Sequence, residues 1–129
     1  CIRDSIYAAE ILEGEGASPE LIRAIQTHTS DFNTSLPKPE LQMEKILFAC
    51  DELTGLIGAA VIMRPSKSVM DFTTKSLKKK FKDKRFAAGC SREVIQRGAD
   101  MLGWSLDELL TRTLDAMRAV EPVVAAEEA

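Results

Sequence analysis

The sequence predicts an all-α protein, with about six helices in an orthogonal bundle and no sheet. Three observations carry that prediction. Ala, Leu, Ile, Met and Glu are common while aromatics make up 5% of the chain, a mix that favours helices over strands. Apolar residues recur at helical spacings of three and four. Ser, Pro and Gly stand where helices start and stop. With 129 residues, 45% hydrophobic and 29% charged, one domain with a modest core is expected.

Residues 2–13 form the first expected helix, striped by Ile2, Ile6, Ala9 and Leu12 and closed by Gly14 and Gly16. Ser18 and Pro19 open the second as N-cap and first-turn residue; Leu21, Ile22 and Ile25 form its apolar side, and it ends near His28. Residues 29–39, polar and carrying two prolines, read as a connecting loop or as a lid over the helices. Residues 41–63 form the longest helix, and Arg64-Pro65-Ser66-Lys67-Ser68 breaks it. One or two short helices are expected over 69–82. Ser91 caps a helix that runs to Leu102 and is closed by Gly103. Ser105-Leu106-Asp107-Glu108 reads as a capping box into a last helix ending near Val120. Residues 1–120 are then one domain and 121–129 a frayed tail.

The formal net charge of −3 does not suit a nucleic-acid binder as a whole. No apolar run reaches the roughly 18 residues that a bilayer crossing requires, so no membrane partner is expected. No signal peptide is visible. Cys1, Cys50 and Cys90 lack metal-type spacing, and such a sparse, odd set fits a reducing cytoplasm. The chain opens on Cys1 and enters a helix at once, as a fragment or a processed chain does.

Three places could carry chemistry. Asp51 lies in the long helix with Leu47, Phe48, Thr54 and Gly55 as its same-face neighbours. That helix is apolar nearly all round, which marks it as central and buried. A carboxylate there must be paired, hydrogen-bonded or metal-bound. His28, the single histidine, is either an ordinary partly buried residue or a ligand in a site completed by carboxylates, a donor set closer to Mg²⁺ or Mn²⁺ than to zinc. Residues 75–85 hold seven basic residues and one acid, which leaves −9 on the rest of the chain. This stretch is either a solvated helix face, with Leu77 and Phe81 turned inward, or a holder of phosphate, a nucleotide or RNA. Cys50 is expected to pack rather than react, and Trp104 and Tyr7 to pack in or beside the core.

Taken together, several of these stretches resemble the C-terminal part of small bacterial HD-superfamily hydrolases. They are Ala8-Ala9-Glu10-Ile11-Leu12, then Ile22-Arg23-Ala24-Ile25 with His28, and Ala49-Cys50-Asp51-Glu52-Leu53-Thr54-Gly55-Leu56-Ile57. The likeness continues through Arg64-Pro65-Ser66-Lys67-Ser68, the lysine-rich stretch and Phe86-Ala87-Ala88-Gly89, and spans about residues 6–118. It implies an HD-domain-like bundle. In intact members it also implies a divalent metal (Mg, Mn, Fe or Zn), held by a His, an adjacent His-Asp pair and a distal Asp, and serving phosphoester hydrolysis. By position Asp51 resembles the distal aspartate and His28 an additional histidine near the metal. Asp4 stands where another histidine is often found. The His-Asp pair is absent from this chain, so the resemblance implies a truncated relative with an incomplete site. The alternative expectation is a non-catalytic helical domain that self-associates as a homo-oligomer or binds a partner. A phosphate-bearing small molecule is the other expected ligand, contacted by Lys67, Lys78, Lys79 and Lys80.

Overall fold

The computed structural model describes residues 2–128, with side chains for 7–128. These residues form six α-helices and no strand: α1 (Ile2–Gly14), α2 (Pro19–Thr27), α3 (Gln42–Ile62), α4 (Thr74–Lys82), α5 (Arg92–Leu102) and α6 (Leu106–Glu128). Among them no helix is long and apolar enough to cross a membrane.

Local chemistry sets most boundaries. The Ser18 hydroxyl accepts the Leu21 N–H at 3.3 Å, Ser91 accepts that of Val94 at 3.3 Å, and Ser105 accepts that of Glu108 at 3.1 Å. Each satisfies a donor that the first helical turn leaves orphaned. Gly103 ends α5 at φ +69°, a conformation that costs glycine little. Leu41 precedes α3 without a polar side chain, and Glu44 supplies the cap instead. Its Oε2 accepts the N–H groups of Glu40 at 2.8 Å and Leu41 at 3.0 Å.

Helix α3 is the hub, in contact with α2, α4, α5 and α6, while α1 packs on α2. Its Leu53, Leu56 and Ile57 are fully buried against Ile95 of α5, Leu77 of α4 and Leu109, Leu110 and Leu114 of α6. Each such side chain contributes about 1.5–3 kcal/mol by leaving water. The α3–α5 crossing is the tightest. A Cβ on Gly98 would lie 2.5 Å from both Cα and Cβ of Ala49, so only glycine fits there.

The turn between α4 and α5 is held by one side chain. Arg92 donates to the carbonyls of Phe81, Asp83, Phe86, Ala87 and Cys90 at 2.5–3.3 Å. Glu52 of α3 accepts the Ser91 N–H at 2.9 Å, fastening the start of α5 to the hub. The Asp83 and Ala87 carbonyls also accept the N–H groups of Phe86 at 3.1 Å and Cys90 at 2.9 Å, and Arg92 ties these turns together.

Two expectations are corrected. α6 continues through Pro122 to Glu128 instead of ending near Val120. Glu121 ties the helix to the turn after α3, accepting the Ser68 hydroxyl and the Val69 N–H, each at 2.8 Å. Tyr7 is 55% exposed and lies outside the core.

Candidate functional site

Glu44, Phe48 and Asp51 follow one another along α3 at spacings of four and three, so they lie on one side of it. Segments near His28 border this side. Before it, Arg23 of α2 places Nε 2.8 Å from Glu44. After it, Ser30 and Asp31 line a cavity of about 400 Å³ together with Phe48 and Arg97. Asp31 also pairs with Arg97 of α5. His28 therefore sits between two anchor points on the segment that runs beside this side of α3.

The state of each acid on α3 differs. Glu44 is fully buried. Burial pushes its carboxyl up, but the N–H groups of Glu40 and Leu41 and the Arg23 guanidinium outweigh it and hold the group below its ordinary value of 4.5. Glu52 is engaged by the Ser91 N–H. Asp51 makes no side-chain hydrogen bond or ion pair among the described residues. It is half-buried, which corrects the expectation of a fully buried carboxylate. Thr54 and Gly55 beside it are exposed, so this side of an apolar helix is only partly covered. Its charge reaches Cys90: burial first, then Glu52 and Asp51, push that thiol up against the pull of Arg92.

His28 caps α2, its backbone N–H reaching the Ala24 carbonyl at 3.3 Å. Its ring Nδ1 meets the Ile25 carbonyl oxygen. That oxygen can only accept, so Nδ1 carries a proton, and in the neutral imidazole the lone pair is on Nε2. Fixing one ring nitrogen on a carbonyl leaves Nε2 as the ring nitrogen that could take a ligand. The side chain of Asp4 lies outside the described residues. Among those described, no three His, Cys, Asp or Glu side chains come together as a metal-holding group. His28 and Asp51 amount to two donors, fewer than a protein-bound transition metal takes.

The lysines separate into three places. Lys78 and Lys79 line a groove between α4 and α6 with Lys75, Lys82, Thr74, Asp107 and Thr111. Lys80 turns away from it, with Nζ 4.4 Å from the centre of the Phe86 ring. Lys67, at φ +48°, stands on the turn after α3 beside Ser68 and Glu121. Lys67 and Lys80 thus do not join Lys78 and Lys79, whereas Lys75 and Lys82 do. The i, i+3, i+4, i+7 spacing of 75, 78, 79 and 82 was the signal for this grouping. Leu77 is buried as expected. In the Arg64-to-Ser68 motif, Arg64 holds Asp71 at 2.7 Å and lies over the Phe72 ring, so that motif closes a turn.

Sequence reasoning missed an apolar groove of about 520 Å³ between α3 and α6, lined among others by Ile46, Cys50, Thr113, Met117, Val120 and Val124. At its edge Arg112 stacks over Trp104 at 4.4 Å. Cys50 lies 3.5 Å from the Thr113 hydroxyl, and burial pushes its thiol up, only partly offset by that contact. A thiol of this kind packs more readily than it reacts. No protein-family model, no curated protein and no solved structure matches this chain.

Proposed function

We propose that this chain is a relative of the HD-superfamily hydrolases that contributes His28 and Asp51 to a divalent-metal centre for phosphoester hydrolysis. The observation that supports this reading is the contrast along α3. Glu44 is committed to two backbone N–H groups and to Arg23, and Glu52 to the Ser91 N–H, while the Asp51 carboxylate is left without a partner among the described residues, on the side of α3 that carries Glu44 and Phe48, which segments flanking His28 border. The two donors alone do not complete a metal shell. The remaining ligands are then Asp4 and groups outside the described residues or on a second chain. An ion held there would supply Lewis acidity to a phosphoester. The chain's own part is to present Nε2 of His28 and an unpaired carboxylate.

The test is Mn²⁺ retention after dialysis, read by paramagnetic resonance, alongside hydrolysis of p-nitrophenyl phosphate. The proposal expects retained Mn²⁺ that falls by about tenfold or more in His28→Ala and Asp51→Asn, the size of loss typical of a removed or disoriented ligand. No retained metal and no turnover would sink it.

The apolar α3–α6 groove favours a second reading, a non-catalytic helical domain that self-associates. Val123 at 57% exposure and Val124 at 42% extend the apolar surface along α6, and such surfaces mark interaction sites. A single-chain mass in light scattering at high concentration counts against it.

A further inference from the structure

We propose that the groove between α4 and α6 binds a small ligand carrying two or more linked phosphates. No residue of this groove is a candidate metal ligand, so the groove and the metal reading are independent of each other.

α4 is divided by chemistry. Leu77 is fully buried and Phe81 packs on the core, while Lys75, Lys78, Lys79 and Lys82 form one stripe on another side. The stripe lines a concave space of about 520 Å³, walled by Thr74 of α4 and by Asp107 and Thr111 of α6. Within it, one cation is matched: Lys78 Nζ lies 2.7 Å from Asp107. Lys75, Lys79 and Lys82 have no acid partner among the described residues. At helical spacings of three and four, such like charges repel one another. The repulsion is concentrated here, in a chain whose net charge is −3. A polyanion in the groove relieves it.

The shape selects among anions. The stripe covers roughly 10 Å of helix axis, longer than one phosphate and suited to a short linked run. The hydroxyls of Thr74 and Thr111 add neutral donors, and Thr74 lies in the first turn of α4, where the helix dipole is positive. None of the lining residues is aromatic, so the groove has no platform on which a base could stack.

Isothermal titration calorimetry of the full chain with inorganic tripolyphosphate, orthophosphate and a short single-stranded RNA tests this. Tripolyphosphate is expected to bind, and to bind more weakly at about 200 mM salt than at about 50 mM. Lys79→Glu with Lys82→Glu removes cations from the stripe and should weaken binding about tenfold or more. Lys38→Glu with Lys67→Glu makes the same charge change elsewhere and should leave affinity within about twofold. Circular dichroism checks that each double variant is folded. Should the charge reversal unfold the chain, Lys79→Gln with Lys82→Gln gives the same comparison with a smaller loss. Four results overturn the proposal: no tripolyphosphate binding at low salt, equal losses in both doubles, orthophosphate binding as tightly as tripolyphosphate, or RNA binding more tightly than tripolyphosphate.

Discussion

Helix α3 meets its two long neighbours in opposite ways. Against α5 it closes to backbone contact, with Gly98 leaving no room above Ala49. Against α6 it closes around Leu109, Leu110 and Leu114 but stays open beside them, where the space between Ile46, Cys50, Thr113 and Met117 is about 520 Å³. The same helix therefore carries a seam that secures the fold and a seam that remains available as surface. What differs is side-chain size at the facing positions. Gly and Ala let two helix axes approach, while branched and long side chains hold them apart and leave gaps where they do not interdigitate.

The largest effect is expected at the closed seam. Gly98→Ala puts a methyl 2.5 Å from a backbone atom, which cannot swing aside as a side-chain tip can. Helix propensity favours the change by about 1 kcal/mol, but overpacking of about 1–3 kcal/mol or more opposes it. A net loss in urea denaturation is the expected outcome. Adding Ala49→Gly should restore only part of it, because the Ala49 Cα stays in the way. Full stability in Gly98→Ala alone would show that the seam is looser than described.

How far the sequence disclosed this architecture depends on the range of the interaction. Ser18, Ser91, Gly103 and the inward pair Leu77 and Phe81 were legible because a cap or a helical stripe involves neighbours within a few residues. The end of α6 was not, because Glu121 is held by Ser68 and Val69, more than 50 residues away in the chain. Asp51 was placed in the interior because α3 is apolar nearly all round. Periodicity cannot tell which side of such a helix its neighbours leave uncovered. Gly98 reads as an ordinary helix glycine until Ala49 is seen opposite it. At the candidate site, the residue types of His28 and Asp51 were readable, but the carbonyl that fixes the His28 ring and the engagement of Glu44 and Glu52 were not. Those partners are set by tertiary packing.

A middle-sized effect is expected at Glu44, which joins α2 to the hub. Glu44→Gln removes the Arg23 ion pair and weakens the cap on the Glu40 and Leu41 N–H groups. At neutral pH this should cost about 1–2 kcal/mol. The folded carboxyl is held below its ordinary value of 4.5, so its contribution is fully present above that value and is lost as pH falls through the lower folded value. Denaturation curves of wild type and Glu44→Gln should therefore separate near neutrality and converge in acid. A gap that persists in strong acid would assign the effect to shape rather than charge.

The smallest stability effect is expected at the open seam. Val120 is 52% exposed and lines the α3–α6 groove, so Val120→Lys removes little buried surface, and lysine suits a helix at least as well as valine. Stability should stay within about 0.5 kcal/mol. The same substitution places a charge where a second copy would have to desolvate it. If the groove is the self-association surface, light scattering should show the wild type above 14.2 kDa and Val120→Lys at that mass. An oligomer of unchanged mass in the variant would remove the groove from the interface. Pairing this outcome with that of Gly98→Ala separates the two seams of α3, since one should report on folding with little bearing on association and the other the reverse.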